Sequence, residues 1–505
     1  MTDTAFAPKL KRLGSETLIY GLSTVVARFL NYLLQPYYAH KLALAQNGVQ
    51  SVVYGYTPFL FALLYLGMDV AFMRNAAGEE DGLEAQQRAF TMSLAMVIAV
   101  GGAITAALML AANAVAPIVR LDAVWVRYLI AIAFTDALAI VPYANLRMTH
   151  QALRYARLKV LFVAVSITLN IFLIAYVGWG VAAVFFTNLV TNLLVVALFL
   201  PDVARLFRPA LLAGAEWRRL WAYALPIIPA ALAVSAVENG DLIRLNFLPE
   251  RVAQLLYHLT SKDVVGIYNF NYKLGVAMLL VVQMFRLAWV PFSLQHAREP
   301  GAPALYSRVL TALMLVCAVV FLGISLLLPA FADVPWVHAY VKPQYWLGLS
   351  IVPVILFGYV FNGMYAVVTA GLYIERKTGV LPWIAGVGAA LNIFICIVAA
   401  PRWGMIGVAW ATPAAYALMA ALGAWQANRV YPVPFEWRRI IALGLLTGAL
   451  FLVDRWAVLQ GVAPLSAYGL GLKTGLLLAF PGVLLLAGFF RHGEMRALRS
   501  LVARR

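Results

Sequence analysis

Apolar stretches of about 20 residues recur along the whole chain, separated by short polar connections. A bilayer is the solvent that suits this pattern, because ~20 residues rising ~1.5 Å each match a hydrocarbon layer ~30 Å thick. About 14 spans are expected, near 16–40, 48–74, 86–114, 123–148, 155–177, 180–200, 218–240, 264–290, 304–331, 344–372, 378–399, 405–427, 437–459 and 464–490. A composition 64% hydrophobic and 12% charged agrees, since soluble globular chains carry about twice that share of charge. The fold class expected is an all-α integral membrane protein. No stretch before Ser15 has the form of a removable leader, so the first helix is expected to act as the insertion signal and stay.

A formal net charge of +17 would suggest a polyanionic partner in a soluble protein. Here the lysines and arginines concentrate on the tails and even-numbered loops, which predicts a multi-pass protein with both termini cytoplasmic. That asymmetry accounts for the basic excess without nucleic acid. Cys317 and Cys396 both lie in apolar runs, where they read as small packing residues rather than a disulfide or metal pair.

The chain repeats itself. A shift of 222 positions sets Tyr143, Ala144, Arg154, Val165 and the run Leu169 to Phe172 on Tyr365, Ala366, Arg376, Val387 and Leu391 to Phe394. A shift of 218 pairs Gly48 and Tyr54 with Gly266 and Tyr272. Span two thus answers to eight, four to ten and five to eleven. Two six-helix halves are implied, and an even number per half makes them parallel, related by an axis along the membrane normal. The division expected is residues 1–205 for the first lobe, 206–430 for the linker and second lobe, and 431–505 for two additional helices and a tail. Prolines 58, 142, 226, 229, 353, 382 and 413 interrupt the spans, which neighbouring helices can tolerate.

Charges inside the spans are the candidate functional groups, because each costs a few kcal/mol unless it meets protein or water. Arg28 lies ~18 Å into the first span and shares one face with Asn31 and Gln35. Its guanidinium offers a bidentate fit to a diphosphate, while a structural ion pair is the plain alternative. Lys273 and Arg286 are the cations of span eight, for which cavity lining competes with snorkelling to lipid phosphates. Asp69 and Arg74 end span two, where a gate or inter-lobe salt bridge competes with a solvated helix end. Glu238 and Asp241 share a face at the end of span seven, where a latch or cation site competes with local pairing. Asp136, on the order of 20 Å inside span four, reads as a protonatable coupling group or as the counter-ion of an arginine. Asn170 and Asn392, repeated in both halves, suggest interhelical hydrogen bonds. Lys473 in the last span reads as snorkelling or as the partner of Asp454.

Nothing points to an enzyme. There is no Gly-rich loop ending in Lys-Ser/Thr. The longest polar connection, Asp241 to Asp263, cannot house a catalytic domain with paired carboxylates.

GLSTVVARFLNYLL (residues 21–34), LGMDVAFMR (66–74) and GMIGVAWA (404–411) resemble the polysaccharide transporter family. Its members flip lipid-linked oligosaccharides within the multidrug/oligosaccharidyl-lipid/polysaccharide (MOP) flippase superfamily, alongside drug extrusion transporters and lipid II flippases. The resemblance implies a MATE-like fold of two lobes in a V that alternate access, with extra helices able to hold a lipid tail. It implies a polyprenyl-diphosphate-linked oligosaccharide as cargo in cell-envelope polysaccharide or lipopolysaccharide biosynthesis, and a bacterial inner membrane location. It also implies membrane lipids and a glycan polymerase or ligase as partners, a monomer, and no cofactor beyond Na⁺ or H⁺ coupling. A lipid II flippase and a cation or drug antiporter are the alternatives. Lipid II flippases carry a basic residue at the place of Arg28, and an arginine and aspartate where Leu34 and Gln35 stand here. An antiporter would need buried carboxylates lining one lobe.

Overall fold

The computed structural model describes residues 34–76, 82–212 and 214–490, and these are helical with no strand. Residues 34–41 are the end of the first span; Arg28 and Asn31 lie outside the described residues. The helices that follow are α1 (Leu44–Ala76), α2 (Leu83–Leu110), α3 (Ala123–Met148), α4 (Ala152–Val177) and α5 (Val181–Leu206). Next come α6 (Gly214–Asn246) and α7 (Ser261–Gly275). They precede α8 (Ala277–Gln295), α9 (Ala302–Ala332), α10 (Ile351–Ile374) and α11 (Thr378–Ala409). The last are α12 (Ala411–Asn428), α13 (Trp437–Leu459) and α14 (Ala467–Leu486). Among the described residues, 11 helices are long and apolar enough to cross a membrane. Spans two to fourteen of the sequence reading each have their helix, with span eight divided into α7 and α8 at Val276.

Two interruptions are conformational. In α1, Leu66 and Gly67 are both left-handed (φ 53° and 63°), which frees carbonyls and re-aims the chain into Met68–Ala76. Leu66 is almost fully buried, so packing holds a geometry that costs an L-residue on the order of 1–2 kcal/mol. At the end of α11, Gly404 (φ 53°, ψ −130°) breaks the helix that the sequence reading had ended at residue 399. A side chain there would collide with Tyr257, whose hydroxyl accepts from the Met405 amide at 2.8 Å.

The chain forms two compact units. One runs through Lys273 and adds Gly379–Met419; the other holds Leu274–Thr378 and the chain from Ala420 onward. In the first, a core of Leu64, Met68, Phe72, Phe90, Met96 and Val141 ties α1 to α2 and α3. Here Phe72 and Phe90 meet edge to face, with centroids 6.1 Å apart. In the second, α9 is the hub and packs on α10, α13 and α14. The two additional helices are pinned by charge. Lys473 of α14 and Asp454 of α13, each 1% exposed, form a salt bridge, and Arg455 donates to the Ser325 carbonyl of α9 at 3.1 Å. Of the two readings of Lys473, pairing is the one observed.

Candidate functional site

The beginnings of α1 and α7 lie backbone against backbone. A Cβ on Gly48 would fall 1.9 Å from the Lys262 carbonyl oxygen, and one on Gly266 would fall 2.7 Å from Leu44 O and 3.0 Å from Gly48 N. Only glycine permits this approach, the device by which membrane helices associate closely. One turn further, Asn269 Nδ2 donates to Ser51 Oγ at 2.7 Å across a separation of 218 residues. Gly48 and Gly266 are separated by the same 218 positions. A residue that touches its own repeat counterpart lies on the symmetry axis, as at any two-fold interface. This is the contact expected of repeat-related positions. The repeated tyrosines diverge: Tyr54 accepts from Asn188 Nδ2 at 3.0 Å, and Tyr272 donates to the Glu238 carbonyl at 3.3 Å.

Both helices carry a polar stripe, and the two meet at Ser51 and Asn269. Asn47, Gln50, Ser51 and Tyr54 follow i, i+3, i+4, i+7 on α1, and Lys262, Gly266, Asn269 and Lys273 follow i, i+4, i+7, i+11 on α7. Asn47, Gln50, Ser51 and Asn269 are all buried. At the start of α7, Lys262 Nζ donates to the Arg120 carbonyl at 2.6 Å and to Asn246 Oδ1. Asn246 in turn donates to the Val119 carbonyl at 2.8 Å, so the turn before α3 is tied to the ends of α6 and α7. Burial pushes Lys262 down to about 8; nearby Asp122 and Glu250 oppose the shift and Arg120 adds to it. At the far end of the α7 stripe, Lys273 Nζ donates to Gln35 Oε1 at 2.6 Å. Gln35 is 3% exposed, and among the described residues its Nε2 has no partner. Two candidates read separately from the sequence, Gln35 and Lys273, are thus brought together.

The other candidates fall elsewhere. Asp69 begins the second segment of α1 and pairs with Arg147 of α3 at 3.2 Å; Arg74, in the last turn, is exposed. Asp136 accepts from the Tyr65 hydroxyl just before the Leu66–Gly67 break. Asp241, 1% exposed, accepts from Tyr268 Oη at 2.5 Å and from the Leu242 amide at 2.8 Å. Beside it stands Asn392 of α11, close enough that a Cβ on Gly240 would meet its Oδ1 at 2.9 Å. Glu238, one turn before, is half-buried. In the second compact unit, Arg286 donates to Asn362 Oδ1 at 3.1 Å. Asn170 turns back on its own helix, donating to the Ser166 carbonyl at 2.9 Å, whereas Asn392 reaches Val237 O of α6 at 3.5 Å.

The second unit also contains an apolar cavity of about 400 Å³, walled by α9, α10 and α13. Met314, Phe321, Phe357, Phe361 and Ile440 line it, with Gly444 and Gly448 leaving one wall open.

Sequence reasoning missed Ser51, Asn269 and Lys262 of the seam and the hydrogen-bonding Tyr65, Tyr268, Arg147 and Asn362. Ser51 and Asn269 are repeat counterparts without being identical, so a comparison that scored hydrogen-bonding capacity would have found them.

No family model matches the chain, and no curated protein matches it in sequence. Its fold does have solved counterparts. The lipid II flippase MurJ in an inward-closed conformation superposes with TM-score 0.68 at 13% identity, covering 92% of this chain and 98% of that one. An inward-facing multidrug resistance MATE transporter of the MOP superfamily gives 0.61 at 16%, covering 85% and 95%. An outward-facing conformation of a MATE transporter gives 0.58 at 16%, covering 85% and 96%. Nearly the full length of each counterpart is matched, so the chain has the all-helical fold shared by MurJ and the MATE transporters of the MOP superfamily.

Proposed function

We propose that the protein flips a polyprenyl-diphosphate-linked oligosaccharide from the cytoplasmic to the outer leaflet of a bacterial inner membrane by alternating access. The observation that carries this reading is Lys273, a cation at bilayer depth that, among the described residues, is held by a neutral amide and not by a carboxylate. Such a cation keeps its charge for a passing anion. Arg28, on the first span, would supply a second, and Asn31 continues the polar face. Arg286, held by Asn362, is a third candidate contact.

Sugars and phosphates cannot enter hydrocarbon unsatisfied, whereas an isoprenoid tail can remain there. The apolar cavity beside α13 has the chemistry to hold part of such a tail. With the cell interior negative, each negative charge exported gains ~2.3 kcal/mol per 100 mV if it crosses the full field. Asp136 and Asp241 are the carboxylates available for any added Na⁺ or H⁺ coupling, and Asp69, Arg74 and Glu238 for gating. The likeness to transporters solved facing inward and outward supports the alternation. Export of this cargo would feed a glycan polymerase or ligase.

A second reading, a cation or drug antiporter, is favoured by the buried Asp241 and by the MATE fold. Proteoliposomes separate the two. A fluorescent lipid-linked oligosaccharide becoming accessible on the far leaflet supports the flippase, and Lys273→Gln should slow it. Ethidium uptake without glycolipid movement would sink it, and so would full-rate transport by both Lys273→Gln and Arg28→Glu.

A further inference from the structure

The polar stripe of the α1–α7 seam is more than a helix contact requires. Permanent helix pairs in hydrocarbon are built well from small residues alone, and Gly48 and Gly266 already provide that. Buried amides in the same interface cost free energy wherever their hydrogen-bonding capacity goes unused. Gln35, bound to Lys273 and 3% exposed, is such a case: among the described residues its Nε2 donates to nothing. Amides and hydroxyls in a membrane interface that must part become useful when something polar takes their place. From Lys262 through Asn269 to Lys273 the stripe extends ~16 Å along α7, with Ser51 facing it from α1 and Gln35 at its far end. The cation at Lys273 can take a phosphate, and a run of amide and hydroxyl groups leads from it to the end of the helix.

Resting on the flippase reading and its cytoplasmic N-terminus, which put this end of α7 at the outer surface, we propose that the seam is a cargo-gated exit. Sugar hydroxyls replace the Ser51–Asn269 bond and satisfy Gln35, so the helices part at low cost for a glycosylated head group. A cargo without hydroxyls leaves those amides orphaned. Ser51, Asn269 and Gln35 are then specificity-determining residues: they select for a polyhydroxylated head, while Lys273 selects for its charge. Closure by glycine contact alone would part equally for any cargo.

The test uses the full chain in proteoliposomes. A lone Ser51→Cys, in a Cys317→Ala/Cys396→Ala background, is labelled with a membrane-impermeant maleimide from the outer side. The added lipid is either a polyprenyl diphosphate carrying an oligosaccharide or the same diphosphate without sugar. The expected result is labelling raised several-fold by the glycosylated lipid and unchanged by the bare diphosphate. Equal labelling with both lipids, or with neither, overturns the inference while leaving the flippase reading intact if the wild type still moves the glycolipid. A wild type that moves none removes both. The double variant Ser51→Val/Asn269→Leu removes the polar bond across the seam and should reduce glycolipid transport several-fold, and Asn269→Gln should restore part of it. Should the double variant misfold, Ser51→Cys/Asn269→Cys serves instead: disulfide closure should abolish transport and reduction should restore it. Unimpaired transport by the disulfide-closed form overturns the inference.

Discussion

Ser51 and Asn269 are hydrogen-bonded to each other at 2.7 Å across 218 residues, the same spacing at which Gly48 and Gly266 meet. They lie where the two backbones meet at Gly48 and Gly266. Parting these helices must break the Ser51–Asn269 bond, which makes it a natural point of control.

Gly48→Ala tests the backbone contact. The added methyl meets the Lys262 carbonyl, which cannot swing aside as a flexible side chain would. Overpacking of ~1–3 kcal/mol should disfavour the closed seam by about 5- to 150-fold. Maleimide labelling of Ser51→Cys in the Gly48→Ala background should rise; unchanged labelling would mean the contact is not limiting.

Lys262 makes closure depend on pH. Its value is about 8 in the closed seam against 10.5 in water, so the parted seam binds more protons between those limits. Closure should therefore strengthen as pH rises from about 8 toward 10.5 and should be flat below 8. Lys262→Met should abolish the slope, measured as labelling of Ser51→Cys against pH.

The Lys473–Asp454 pair should be costly to break and cheap to remove. Lys473→Met strands a buried carboxylate that, among the described residues, keeps Arg455 at 3.5 Å, and should destabilise by ~3–5 kcal/mol. Lys473→Met/Asp454→Leu should recover most of that loss in thermal unfolding in detergent. Additive losses would contradict a pairing role.

Tyr65→Phe leaves Asp136 without the hydroxyl it accepts from, at an expected cost of ~1–3 kcal/mol. Asp136→Asn, which keeps a polar partner for Tyr65, should cost less in the same melt. Equal losses would show that burial rather than the bond sets the stability there.

Gly444→Leu and Gly448→Leu should fill the apolar cavity without collision, since nothing lies within 4 Å of either new Cβ. Displacing two methylenes of bound tail at ~0.8 kcal/mol each would weaken long-chain cargo on the order of tenfold. Transport of a short-tailed analogue should be spared, and equal effects on both would remove the cavity from the tail's path.

Much of the architecture was readable because membrane insertion imposes its rules on local sequence. Span four at 123–148 and span thirteen at 437–459 coincide with α3 and α13, since apolar length alone decides what crosses a bilayer. The pairing of Gly48 with Gly266 was legible as a repeat, because duplicated helices keep the small residues their packing needs. What the sequence could not disclose is which side chains meet. Lys273 could have snorkelled, and only the fold brings Gln35 within 2.6 Å of it. The left-handed Leu66 had no local signature, because it is the surrounding core that holds it there. Hydropathy is a property of single segments and survives translation into sequence; hydrogen bonds across 218 or 238 residues belong to the packed helices and exist only once tertiary structure has set their register.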